Sequence, residues 1–149
     1  MTKDAPQSLS DQGFADPTTE PFWKACQNRR LTIQKCAYCG HYQFYPRPFC
    51  LSCESSRIEW VEASGAGTIY SLTTVRVPVT PELTPPYLLA IVELAEGPRI
   101  LTNINAERAA IGDKVRLAWR ARDPLPLLPV FRLESIQDDA RAREDRIGP

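Results

Sequence analysis

The stretch CAYCGHYQFYPRPFCLSC, residues 36 to 53, holds four of the chain's five cysteines. Cys36, Cys39, Cys50 and Cys53 form two Cys-x-x-Cys pairs separated by ten residues. A two-residue gap lets both sulfurs of a pair face one ion while backbone N–H groups turn toward the thiolates. Two such pairs complete a tetrahedral S₄ shell with metal–sulfur distances near ~2.3 Å. Gly40, directly after the first pair, suits the tight turn because glycine accepts positive φ. The donor set favours Zn over Fe without separating the two. Four thiolates close the shell, whereas a catalytic zinc keeps a position open for water or substrate. The expected metal is therefore structural. A thioredoxin-like redox role needs one pair opening a helix in a βαβ setting, which this stretch lacks. Cys26 lies outside the set and reads as a buried thiol on a helix face rather than a nucleophile.

The residues around the cysteines read as short elements. Residues 1–15 are polar with few large apolar groups and read as a flexible arm. In DPTTEPFWKACQNRR, Thr18 or Thr19 can cap a helix, Glu20 suits its first turn, and Pro21 is tolerated there. Phe22, Trp23 and Cys26 then share a face. RLTIQKC sets Leu31 and Ile33 against polar neighbours, as a half-buried strand would. Beyond Cys53 the chain is rich in Ile, Val, Thr, Trp and Tyr, in strand-length runs broken by Gly65, Gly67 and proline clusters. ERAAIGDK reads as a helical turn closed by Gly112. Short strands without a βαβ rhythm point to a small closed antiparallel barrel. Ile69, Leu89, Ile91, Val115 and Leu117 are its expected inward residues. The residues from Glu134 onward form a highly charged, solvated tail.

Charge limits the functions available. The chain carries 18 basic and 18 acidic residues, which argues against a global electrostatic grip on nucleic acid or membrane. Residues 24 to 57 hold six bases and one acid, a formal +5 that four zinc-bound thiolates would reduce by about 2. No apolar run approaches the ~18 residues of a membrane span. The first twenty residues lack an apolar signal core, and the expected location is the cytoplasm. His41 is the single histidine, and no G-x-S-x-G stretch is present. SGAG, Ser64 to Gly67, lacks the Lys-Ser/Thr of a phosphate loop and reads as a bulge or bend. Tyr38, Tyr42, Phe44, Tyr45 and Phe49 interleave with His41 and Arg47. Their expected task is to cover the ribbon's metal and dock it on a neighbour, although aromatics with bases also suit nucleotide stacking.

Taken together, PFWKAC, LTIQKC, the cysteine stretch, EWVEASGAGTIYSLTTV, PPYLLAIVELAEGPRILTNI and IGDKVRLAW resemble one family across about residues 20 to 133. In it a rubredoxin-like zinc ribbon precedes an OB-fold, and its members are acyl-CoA-associated subunits of thiolase-like enzymes. The resemblance implies a mainly β chain: arm, helix and lead-in strand over 1–34, zinc ribbon over 35–57, five-stranded OB-fold barrel over 58–134 and charged tail over 135–149. It also implies a subunit with no catalytic residue of its own, in a hetero-oligomer with a thiolase-like protein that carries the nucleophile. The pair would share a CoA thioester in an acyltransferase, thiolase or aldolase. Arg47, Arg57 and Arg76 are the cations expected for the CoA phosphates. Tyr45, Phe49, Pro86 and Tyr87, within YQFYPRPF and VPVTPELTPPY, are the expected partner surface. The competing reading is a stand-alone nucleic-acid-binding ribbon and OB module. The apolar YLLAIVEL and the balanced charge of the barrel argue against it.

Overall fold

The computed structural model describes residues 16–135 and Asp138. The arm expected over 1–15 and the remainder of the tail lie outside the described residues. Among the described residues, helix α1 (Glu20–Gln27) precedes β1 (Thr32–Cys36), β2 (Tyr42–Gln43), β3 (Ile58–Glu62) and β4 (Ala66–Val75). Then follow β5 (Tyr87–Leu94), β6 (Arg99–Ile104), β7 (Lys114–Arg120) and β8 (Leu128–Leu133).

Helix α1 turns Phe22 and Cys26 inward and leaves Trp23 half-buried, the i, i+4 face its sequence predicts. Its start differs from expectation. Thr19 occupies the N-cap position but makes no side-chain cap, because its hydroxyl donates backward to Asp16 O at 3.3 Å. Asp16 supplies the missing acceptors. Its carbonyl takes the Thr19 and Glu20 N–H groups at 2.9 Å, and its carboxylate takes the Thr18 N–H at 2.8 Å.

Strands β2, β1 and β3 form a three-stranded sheet with β1 in the middle, antiparallel to both neighbours. The expected alternation in β1 does not hold, since Leu31, Thr32, Ile33 and Gln34 are all buried. The loop after β2 hydrogen-bonds Gln34, so that polar side chain is held inside as well.

The remaining strands close a five-stranded barrel in the order β4-β5-β6-β8-β7. This is the five-stranded barrel expected of an OB-fold. Every barrel contact is antiparallel except the short parallel meeting of β6 and β8 at Ile104 and Phe131. Gly67 allows β4 and β5 to close up. A Cβ there would lie 2.5 Å from Val92 Cγ1 and 2.9 Å from Glu93 O. ERAAIGDK forms a turn at Ile111–Gly112, not a helical turn. Asp113 accepts the Ala110 N–H at 2.8 Å, and Gly112 N–H bonds Ile69 O at 2.8 Å, tying the turn to β4 instead of to a helix ladder.

Inside the barrel, Ile69 and Val115 are buried as expected, and Leu117 packs half-buried against the core. Leu89 and Ile91 are corrections. They face outward, half-buried, while Leu88, Ala90, Val92 and Leu94 fill the core. The run YLLAIV is apolar in both phases, so only Glu93, which shares the parity of Leu89 and Ile91, marks the outer face. One continuous core joins Phe22, Cys26, Leu31 and Ile33 to the barrel residues and stops short of the cysteine pairs.

Candidate functional site

Two hairpin-like turns bring the four cysteines together. In the first, Gly40 N–H bonds Cys36 O at 2.9 Å with Gly40 at φ +77°. In the second, Glu54 N–H bonds Cys50 O at 2.9 Å with Glu54 at φ +62°. The two turns repeat one geometry, but the second places a non-glycine residue in the left-handed region. Ala37 N–H to Arg57 O and Cys50 N–H to Ser55 O, both 2.8 Å, anchor them to the flanking chain.

The four Sγ atoms lie within 4.8 Å of one another. Cys36 and Cys53 approach to 3.6 Å, as do Cys39 and Cys50. A tetrahedron of ~2.3 Å metal–sulfur bonds has edges of about 3.8 Å, so the donor set fits one ion. Backbone N–H groups face the sulfurs, Cys39 N to Cys36 Sγ at 3.5 Å and Ser52 N to Cys50 Sγ at 3.4 Å. The Cys39 N–H, with help from Tyr38 and the neighbouring thiols, pulls Cys36 down to about 6 despite its burial. Among the described residues this is the one cluster of three or more His, Cys, Asp or Glu side chains with metal-binding geometry. The four cysteines are thus positioned for zinc, with no ligand position left for substrate. Cys26 sits apart, in the core. Burial pushes its thiol up to about 12, which makes it a poor nucleophile at neutral pH.

A pair of buried glutamines shapes the loop between the cysteine pairs, and the sequence reading missed it. Gln34 of β1 accepts the Arg47 N–H at 2.8 Å and donates to Arg47 O at 2.9 Å. Gln43 of β2 donates to Gln34 Oε1 at 2.9 Å and to Phe49 O at 3.0 Å, and accepts the Leu51 N–H at 2.9 Å. The register that sets Gln34 opposite Gln43 is what creates the pair. The signal available in the sequence was two glutamines, Gln34 and Gln43, set on either side of the first cysteine pair. The bonds display Arg47, Tyr45 and Phe49 on the surface. Phe44 packs on Phe22 of α1 with ring centroids 5.4 Å apart, and Tyr42 packs against the core. Tyr38 is 71% exposed. Arg57 is exposed at the ribbon's exit.

Two cavities flank these surfaces. One, of about 550 Å³, lies between the ribbon and the β5–β6 turn, with His41, Tyr42, Phe44, Leu51 and Glu96 among its walls. The second, of about 640 Å³, lies at the end of the barrel where β4 finishes, β5 begins and β6 leaves. It brings together Arg76, Pro86 and Tyr87, which the sequence reading had assigned to different tasks. Arg47, Arg57, Tyr45 and Phe49 line neither cavity. Among the described residues, no helix is long and apolar enough to cross a membrane.

Comparison with known proteins bears on both halves. Residues 23–59 match the family described as "ChsH2, rubredoxin-like zinc ribbon domain", and residues 60–120 match "ChsH2, C-terminal OB-fold domain". A "Probable enoyl-CoA hydratase alpha subunit" of Thermomonospora curvata is 36% identical over 143 residues, 94% of this chain. The chain spans only 45% of that relative's length. A "DUF35 domain-containing scaffold protein" of Methanothermobacter thermautotrophicus is 36% identical over 100 residues, covering 63% of this chain and 74% of the relative. A chain of the solved "Ltp2-ChsH2(DUF35) aldolase" is 38% identical, with a TM-score of 0.74, over 79% of this chain and 95% of that one.

Proposed function

The chain belongs to the ChsH2 (DUF35) family of zinc-ribbon and OB-fold proteins, and from that premise we propose that it is a non-catalytic subunit completing the CoA-thioester site of a thiolase-like partner. The observation that carries this reading is the likeness to the aldolase chain, 38% identical over 95% of its length and named with a second component. Relatives named as a hydratase alpha subunit and as a scaffold protein support an assembled role and a CoA thioester.

The chemistry of the chain agrees with that division of labour. Cys36, Cys39, Cys50 and Cys53 would hold one zinc, which supplies a rigid cross-link rather than a reactive position. The ribbon loop then presents Tyr45 and Phe49, both near 45% exposed, on a backbone held by Gln34 and Gln43. Exposed aromatics on a rigid loop bury much area on docking at little entropic cost. Arg47 and Arg57 add exposed cations in and just after the ribbon, and Arg76 with Pro86 and Tyr87 lines the barrel-end cavity. The partner supplies the nucleophile, and this subunit walls the channel.

The test is to express this chain, its thiolase-like partner and the two together, and to assay cleavage or condensation of CoA thioesters. Turnover is expected only from the mixture. Full activity from either protein alone overturns the reading. Tyr45→Ala and Tyr87→Ala are expected to weaken assembly while zinc content stays at the wild-type value.

A further inference from the structure

Four arginines among the described residues are half-buried, and two of them meet a carboxylate. Arg116 of β7 reaches Glu134 and Arg132 of β8 reaches Asp138, both at 2.8 Å. Arg120 and Arg122 differ. Arg120 closes β7 and Arg122 lies two residues beyond it, and among the described residues neither has an ion pair. Asp123, the next residue in sequence, makes none either. The two arginines line neither of the cavities described above. They stand where the β7–β8 connection meets α1 and the segment leaving β6.

Each guanidinium is held by one neutral acceptor. Arg122 Nε donates to Pro126 O at 3.0 Å inside the connection, and Arg120 Nη2 donates to Asn105 Oδ1 at 3.4 Å just past β6. The Arg122 guanidinium also lies over the Trp23 ring of α1, 5.6 Å from its centroid, a contact that steadies the cation without neutralising it. Four buried side-chain N or O atoms among the described residues have no hydrogen-bond partner, and two of them are Arg120 Nη1 and Arg122 Nη2. Arg120 Nε and Arg122 Nη1 make no hydrogen bond either, so each fork keeps two nitrogens free. Desolvated cations without acceptors are costly. Burial pulls Arg122 below the ordinary arginine value, and the neighbouring charge of Arg120 adds to the fall, while Glu82 and Cys26 oppose it. Cys26 supplies no charge at neutral pH, because burial pushes its thiol up to about 12. Glu82 is exposed and acts through space without forming an ion pair. It answers one of the two positive charges, so one further negative charge balances the pair. A carboxylate meets that count and offers two oxygens to the two forks, whereas a phosphate dianion overshoots it.

We propose that Arg120 and Arg122 receive a carboxylate side chain, Asp or Glu, presented by a protein docked against α1 and the β7–β8 connection. Because the pair lines neither cavity, a free small acid would stay largely in water there, where an ion pair gains little. A docked protein covers the guanidiniums with its own surface and so strengthens the charge pairing. Arg and Trp are also the residue types enriched where interface energy concentrates. The occupant rests on the assembled role proposed above but not on the partner being thiolase-like. It adds Trp23, Arg120 and Arg122 to Tyr45, Phe49, Pro86 and Tyr87 as residues of this chain that face a partner.

The experiment uses the zinc-loaded full chain and reads the Arg Nε–Hε and Trp23 indole signals by NMR. The probes are the blocked peptide acetyl-Asp-Glu-Asp-amide, its uncharged counterpart acetyl-Asn-Gln-Asn-amide and inorganic phosphate. The acidic peptide should shift the Arg120, Arg122 and Trp23 signals, and the uncharged peptide should bind about tenfold or more weakly. Arg120→Gln/Arg122→Gln should lower affinity for the acidic peptide by about tenfold or more. Arg120→Lys/Arg122→Lys, which keeps both charges without the forks, should lower it by less. If the Gln variant loses amide dispersion, the Lys variant and the wild-type shift map decide. Shifts confined to other arginines, or equal affinity in wild type and the Gln variant, overturn the site. Phosphate binding more tightly than the acidic peptide makes the pair a site for a free oxyanion and overturns the protein occupant. The titration involves no turnover, so its failure leaves the partner-dependent activity proposed above standing, and loss of that activity leaves the titration standing.

Discussion

At Ile33 the chain is packed in the continuous apolar core that runs into the barrel; three residues later, at Cys36, its buried atoms meet sulfur and amide N–H groups. Both residues are almost fully buried and both lie on β1. The barrel encloses enough carbon to hold itself, with Val92, Val115, Val130 and Phe131 at 1% exposure or less. The ribbon tip, a sheet with a two-residue strand, cannot do so. It buries polar groups that satisfy one another instead, four thiols around a common point and two glutamines holding a loop. The contrast teaches that small size moves the burden from area to specific bonds. Apolar burial loses stability in proportion to the volume removed, whereas a ligand set fails as a whole when one member is removed.

The sharpest break of this contrast is the metal. Structural zinc contributes on the order of 10 kcal/mol or more of apparent binding free energy in small ribbons at neutral pH. Fresh protein is expected to hold one zinc per chain by elemental analysis, and Cys36→Ser should lower both zinc content and melting temperature. Chelation should erase amide dispersion over residues 36–57 while hydrogen exchange in β4 to β8 stays slow. Loss of barrel protection at the same chelator concentration would show that the two regions unfold as one unit.

Core truncation tests the other side. Leu88→Ala should cost about 2–5 kcal/mol and Phe131→Ala about 3–5 kcal/mol by denaturant unfolding, with zinc content unchanged. Leu89→Ala, one residue away on the outer face, should cost well under half of the Leu88→Ala value. Equal costs for the neighbours would mean that the strand faces are reversed. Gly67→Ala should cost about 1–3 kcal/mol, because its methyl meets Val92 and the Glu93 carbonyl.

Gln34→Ala sharpens the comparison within the ribbon. It leaves the N–H and C=O of Arg47 without their partners, and because Arg47 is exposed the cost is that of the lost hydrogen bonds, about 0.5–1.5 kcal/mol each. The loss should appear as faster exchange over residues 44–51 with zinc retained; zinc loss instead would mean that the loop and the metal site are inseparable. The smallest effect concerns Cys26. Burial pushes its thiol up to about 12, so the folded chain keeps a proton that the unfolded chain releases near ~8.5. Its contribution to stability is complete below that pH and declines as pH rises toward 12. Cys26→Ala should flatten this alkaline decline, and iodoacetamide at pH 8.5 should label Cys26 only after unfolding.

The spacing of Cys36, Cys39, Cys50 and Cys53 determined the ribbon, because a metal shell needs few residues at short range and its geometry is written in local turns. The β-rich, proline-punctuated remainder determined a small barrel, and Phe22 with Cys26 determined the buried face of α1. Tertiary structure alone decided the rest. It chose Leu88 over Leu89 in a strand apolar in both phases, since only closure of the barrel says which phase is inside. It paired Gln34 with Gln43 through the β1–β2 register, and turned a Thr18 or Thr19 cap into an Asp16 cap through backbone geometry. It also gathered Arg76, Tyr87 and Arg108 from three strand ends into one cavity. The Asp16 cap is local and rests on backbone geometry over four residues; the others depend on contacts between separate strands, and chain composition carries no record of which neighbour arrives.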